Sequence, residues 1–194
     1  MKKVRVLLDL YQRPETVFSL KELSLMFPQI KYLNLKRRFN SFVSGGKLVN
    51  PVRGIYAKTV YNPLEFAGKL YSPSYISFET VLVREGVIFQ KSTTVYVSSY
   101  LSRERVIGDL NICYRRLKRE ILLNRAGIER KIGYFSAVKE RAFCDMVYVS
   151  KDYYFDSLSG MDWDLVFDFA KIYKSKRMLK RVESYYKLFK GENV

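Results

Sequence analysis

Residues 31–44, KYLNLKRRFNSFVS, divide cleanly by polarity when drawn as a helix. At about 100° per residue, Tyr32, Leu35, Phe39, Phe42 and Val43 share one side, while Asn34, Arg37, Arg38 and Ser41 share the other. Such a helix must bury its aromatics in a core and hold arginines and an amide outward, an arrangement that suits a DNA major groove. Gly45-Gly46 stops it, since glycine tolerates the left-handed conformation of a helix end. Lys47-Leu48-Val49 and Ile55-Tyr56-Ala57-Lys58 then read as two short strands. Asn50-Pro51-Val52-Arg53-Gly54 joins them as a turn-rich tip carrying an arginine. Helix, hairpin and basic tip are the layout of a winged helix-turn-helix.

The preceding residues agree. Residues 2–11 predict a helix with Val4, Leu7, Leu8 and Tyr11 on a common face, ended by Pro14. A second helix starts at Ser19, with Glu22 completing a capping box and Leu20, Leu23, Leu25 and Met26 forming its apolar side. Phe27-Pro28 closes it, which gives the ordering of a helix-turn-helix. In this picture Asn34, Arg37, Arg38 and Ser41 contact bases or phosphates, and Lys31 and Lys36 flank them on the backbone. Arg53 reaches from the wing toward an adjacent groove. The competing readings are a winged helix that meets protein, and an arginine-rich face that is merely solvated.

Charge distribution favours a polyanionic partner. The net charge is +16. Residues 1–60 carry twelve Lys/Arg against three Asp/Glu, residues 61–170 fifteen against 14, and residues 171–194 eight against two. A nearly neutral body therefore lies between basic ends, and binding to double-stranded DNA should weaken steeply with salt. With 48% hydrophobic residues, 16 Tyr and 13 Phe, the chain can build real cores. No stretch approaches the ~20 apolar residues of a membrane span, and the opening MKKVRVLLDL reads as a helix rather than a signal peptide because Asp9 interrupts its apolar run. Cys113 and Cys144 make no disulfide framework, so a reducing, cytoplasmic setting is expected.

Residues 43–58, VSGGKLVNPVRGIYAK, resemble the N-terminal winged helix of AbiEi-type antitoxins, the transcriptional regulators of type IV toxin–antitoxin operons. The similarity continues through Ser72-Pro73-Ser74-Tyr75-Ile76-Ser77, Val81-Leu82 and Glu85-Gly86-Val87-Ile88, which look like that family's "P-x-Y-I-S, helix, G-L-I" segment. Thr94-Val95-Tyr96-Val97 and the Glu140, Ala142 and Asp145 of residues 138–148 resemble its "E-x-A-L-x-D" helix. Two departures stand out: Glu79-Thr80-Val81-Leu82 replaces the usual Ser-Ala-Leu, and Val138-Lys139-Glu140 the usual Pro-Glu-Lys. The resemblance implies a repressor that binds inverted repeats in its own promoter. It also implies an antitoxin that opposes a nucleotidyltransferase-like toxin, without necessarily forming a stable complex with it. No cofactor and no catalytic residue follow from it.

Tyr61-Asn62-Pro63 punctuates the chain, so the expected division is a DNA-binding domain over 1–60 and an antitoxin-like domain over 61–194. Residues 64–71 and 77–85 suit short helices; Val87-Ile88-Phe89 and residues 93–98 and 111–114 suit strands. Residues 136–149 predict an amphipathic helix with a Val138, Ala142, Met146 and Val149 stripe. Asp162 and Ser175 cap two late helices, the second basic and striped by Met178, Val182, Tyr185 and Phe189. The fold class expected is α+β, an N-terminal winged helix-turn-helix followed by an α+β domain with late helices. Docking of the last helix onto the body competes with contact to DNA or to a membrane surface. Arg115, Arg116, Lys118 and Arg119 form a second basic patch for phosphate, RNA or an acidic partner, or a solvated edge.

The chain contains no histidine, which removes His-based acid–base chemistry and the commonest zinc ligands. The best enzyme pattern left is Asp109 with Glu129-Arg130-Lys131, reminiscent of metal-dependent nucleases, but Gly108 stands where their proline would.

Overall fold

The computed structural model describes residues 5–90 and 92–191; Val4, expected on the first helix, lies outside them. The described chain is a mixed α+β structure with two sheets. It opens with α1 (Val6–Tyr11), β1 (Val17–Ser19), α2 (Leu20–Met26) and α3 (Tyr32–Ser44), followed by a hairpin of β2 (Val49–Val52) and β3 (Ile55–Ala57). Ser19 ends β1 and caps α2. Its Oγ accepts from the Glu22 N–H, and the Glu22 carboxylate accepts from the Ser19 N–H at 2.7 Å, the capping box read from sequence. β1 leaves no signal in the sequence, because three residues are too few to show a period of two. It pairs with β3, making the sheet order β1-β3-β2.

The hairpin is tighter than expected. Asn50 and Pro51 belong to β2, and only Arg53-Gly54 makes the turn, with Gly54 at φ +84°. Pro51 has no N–H for the ladder, so it sits on the sheet edge where the register is bulged between Val49 and Val52. The Asn50 amide bridges the gap by donating to the carbonyls of Val52 and Ile55.

The second part comprises α4 (Pro63–Leu70), β4 (Ser74–Ile76), α5 (Phe78–Arg84), β5 (Thr94–Ser99), β6 (Arg103–Ile107), β7 (Leu110–Arg116) and α6 (Arg119–Leu122). After these come β8 (Ile128–Arg130), β9 (Phe135–Ala137), α7 (Lys139–Val149), α8 (Trp163–Ala170), a 3₁₀ turn (Lys171–Tyr173) and α9 (Lys176–Lys190). Its sheet runs β6-β7-β5-β4-β9-β8, with β4/β9 and β5/β7 parallel and the other pairs antiparallel. Neighbouring residues on a strand point to opposite faces. Ser74 bonds the Gly68 carbonyl of α4 while Tyr75 reaches Asp145 of α7, so α4 and α7 cover opposite faces of the sheet.

Two expectations are corrected here. Val87-Ile88-Phe89 is not a strand: the N–H groups of Val87 and Ile88 turn back to the Leu82 carbonyl, and their buried side chains fill the core at the end of α5. α7 is not amphipathic with a Val149 edge. Every residue from Glu140 to Val147 is buried between α5, α8, α9 and β9, while Val149 is exposed. The last helix is docked, with Met178 and Val182 fully buried and the Tyr185 hydroxyl donating to the Tyr153 carbonyl at 2.7 Å.

At the centre lies a fully buried ion pair, Arg141 Nε to Asp145 Oδ1 at 3.5 Å, one turn apart on α7. Asp145 accepts from the hydroxyls of Tyr173 (2.5 Å), Ser77 (2.7 Å), Tyr75 (3.1 Å) and Ser98 (3.4 Å). Arg141 donates to the carbonyls of Ile121 and Ala126 and to the Tyr75 hydroxyl. Burial pushes the Asp145 carboxyl up against the pull of Arg141, and it holds the Tyr75 and Tyr173 phenols well above their ordinary range, protonated and able to donate. Breaking such a pair strands a buried charge. Asp145→Asn should lower the unfolding free energy by about 3–5 kcal/mol. At roughly 2–4 °C per kcal/mol for a chain of this size, thermal unfolding would move down by about 6–20 °C. A change within experimental error would show that the pair carries little.

Candidate nucleic-acid interface

α3 is held by Leu35, Phe39, Phe42 and Val43 of the side its sequence marked as apolar, whereas Tyr32, expected there too, is exposed. Leu35 and Phe39 are fully buried, and Phe39 packs against Phe42 and Tyr56 with ring centroids 5.7 and 5.1 Å apart. The Tyr56 hydroxyl of β3 donates to Asn40 Oδ1 at 2.8 Å, which fixes the rotation of the helix about its axis. The opposite face is thereby turned out. Lys31, Asn34, Arg37, Arg38 and Ser41 are exposed and Lys36 is partly so. α3 contains no acidic residue, and among the described residues none pairs with Arg37, Arg38 or Lys36. Arg53 stands exposed at the hairpin turn, without a partner among the described residues. Asn34 with Arg38, and Arg37 with Ser41, are spaced i, i+4 and so stack along one stripe.

Leu25, expected on the apolar side of α2, points outward instead, and Leu33 was not singled out by the sequence. Both are exposed, at 74% and 67%. Leu33 lies one turn before Arg37, outside the apolar side, and this placement was already visible in the helical projection.

The second basic patch does not stay together. Arg115 is committed to the fold: its guanidinium meets Glu79 Oε1 at 2.6 Å and lies over the rings of Phe78 and Tyr96 at 4.9 and 4.6 Å. Arg116, Lys118 and Arg119 are exposed. Nor is the nuclease pattern assembled. Asp109 sits in the turn joining β6 to β7 at one edge of the large sheet, whereas Glu129 and Lys131 form an ion pair at the β8 edge. Among the described residues no group of three acidic or cysteine side chains is placed to hold a metal, and no helix is long and apolar enough to cross a membrane.

The two parts are bolted together under this face. Val17, Ile55 and Ala57 bury into the larger core, while α1, α2 and α3 close a separate one around Leu10, Phe18, Leu23, Leu35 and Phe39. Glu65 of α4, itself buried, accepts from the Thr16 and Val17 N–H groups and the Thr16 hydroxyl. Lys69, one turn on, reaches Glu22 at 2.9 Å, so the carboxylate that caps α2 also ties α2 to the body. Burial raises the Glu22 carboxyl, but the Ser19 N–H and Lys69 outweigh it and hold it below the usual value. A carboxylate depressed in the folded state stabilises above its unfolded value, and that contribution is lost as pH falls through the folded one.

No protein-family model matches the chain, and no curated protein matches it in sequence.

Lys69→Met should therefore reduce stability at neutral pH by about 1 kcal/mol, given the partial exposure of Glu22. In urea titrations the gap between variant and parent should narrow as pH drops below the normal glutamate range. A gap that is constant with pH would mean the Lys69 stem, not its charge, makes the tie.

Proposed function

We propose that the chain is a duplex-DNA-binding transcriptional repressor of its own operon, and the antitoxin of a type IV pair that opposes a nucleotidyltransferase-like toxin. One observation carries the DNA reading: α3 is clamped by Leu35, Phe39 and the Tyr56–Asn40 bond so that unpaired Arg37 and Arg38 face outward beside Asn34 and Ser41. The element order α1-β1-α2-α3-β2-β3, with β3 central in the small sheet, supports a winged helix whose recognition helix is α3 and whose wing carries Arg53. The antitoxin half rests on the sequence resemblance. Its Tyr75, Ser77 and Asp145 meet at one buried node, a reason for those residue types to occur at those separations.

A winged-helix adaptor that meets protein instead is favoured by exposed Leu25 and Leu33, since apolar surface next to a basic helix suits a protein partner. Gel shifts on the chain's own upstream region against scrambled DNA, at roughly 150 mM salt, separate the two. Selective retardation supports the repressor; none supports the adaptor. On the selected site, Arg37→Ala and Arg38→Ala should each cost about 1–3 kcal/mol if bidentate to a base. Arg53→Ala should weaken all sequences alike and lower the log–log salt slope by about 1. Unchanged affinity in both α3 variants would reject the recognition face. In cells, the double α3 variant of the full chain should lose repression yet still rescue growth from the toxin; loss of both would tie the two roles together.

A further inference from the structure

A groove of about 740 Å³ opens on the second part of the molecule, within the size range of ligand sites. Buried Leu122 and half-exposed Tyr100 line it together with exposed Arg116, Lys118 and Arg119. Past Pro73 and Leu123 it continues into a smaller hollow of about 80 Å³, where the Arg125 guanidinium lies 4.5 Å over the Phe135 ring. Tyr100 is 48% exposed; its phenol lies within electrostatic reach of Arg103, and among the described residues its ring has no stacking partner. None of the three lining cations has a carboxylate partner there either, and Glu120, the one acid on α6, does not line the groove. The lining around Leu122 and Leu123 is tied to the core, because the buried Arg141 bonds the Ile121 and Ala126 carbonyls on either side of them.

We propose that this groove binds single-stranded nucleic acid, with one base on Tyr100, another on the Arg125–Phe135 pair, and phosphates along Arg116, Lys118 and Arg119. One open tyrosine ring and an arginine stacked on a phenylalanine, next to a line of cations, supply base stacking together with backbone tracking. An acidic peptide would use the cations and leave the ring faces without a role. The site is separate from α3 and does not depend on duplex recognition there. It also gives a use to the part of the basic cluster that Arg115 leaves.

Fluorescence anisotropy of the full chain with labelled oligothymidylate and oligouridylate tests it, at lengths of about ten nucleotides, within the roughly 4–16 that such grooves cover. Tyr100→Ser leaves the charge unchanged, so it removes stacking without touching general electrostatic attraction. It should weaken both oligonucleotides by at least about fivefold while leaving duplex binding as it was. Leu123→Glu, which sets a carboxylate between the two stacking points, should do the same, and circular dichroism shows whether either variant has lost its fold. Tighter binding of oligouridylate assigns the groove to RNA, and the reverse assigns it to DNA. The double substitution Arg37→Ala with Arg38→Ala should leave single-strand affinity intact. Three results overturn the proposal: no loss in folded Tyr100→Ser and Leu123→Glu, loss in the α3 variant, or displacement by polyglutamate as readily as by unlabelled oligothymidylate.

Discussion

The Arg141–Asp145 pair sets most of the geometry of this protein. A carboxylate with no solvent contact must be matched by donors, and here four hydroxyls from three separate stretches of chain converge on it. That demand fixes β4 against β5, brings α7 down onto both, and seats the 3₁₀ turn at Tyr173 on top. Arg141 extends the same constraint outward to the segment around α6, whose exposed side forms the basic groove. A polar core of this kind is an expensive way to gain stability, since an apolar replacement of equal volume is often as stable. What it contributes is placement: the bonds to Asp145 join strands, helix and loop at one point.

A second anchoring point repeats the logic at smaller scale. Glu65 is buried because it receives the strand donors of Thr16 and Val17, and Lys69 beside it holds the acid that caps α2. The α3 face is consequently not carried on a loose tether. Its orientation relative to the large sheet is set by bonds that run from the cap of α2 through α4, and the shared burial of Val17, Ile55 and Ala57 reinforces them. The division at residue 60 marks a change in charge and the cap at Asn62, but not an independent hydrophobic boundary.

Much of this is legible in the sequence. The capping box at Ser19 and Glu22, the span of α3, the caps at Asp162 and Ser175 and the docked stripe of Met178 and Val182 all follow from spacing that repeats over a turn or more. What escaped has physical causes. β1, β4, β8 and β9 are three residues each, too short for alternation to register. α7 is buried on nearly all sides, so its polar residues broke the pattern although Arg141 and Asp145 are fully buried. Arg115 reads as one of four neighbouring basic residues, but strand alternation turns it inward against Glu79, a tertiary pairing no local pattern announces. For the candidate interface, the residues were legible and their lack of internal partners was not.

Hydrogen–deuterium exchange of the full chain, with and without duplex DNA from its own upstream region, tests most directly whether α3 and the hairpin form the recognition surface. Protection concentrated in residues 32–44 and 49–57, with the segment around 116–125 unchanged, is the predicted result. Protection confined to other segments, with α3 exchanging as in the free protein, would contradict it.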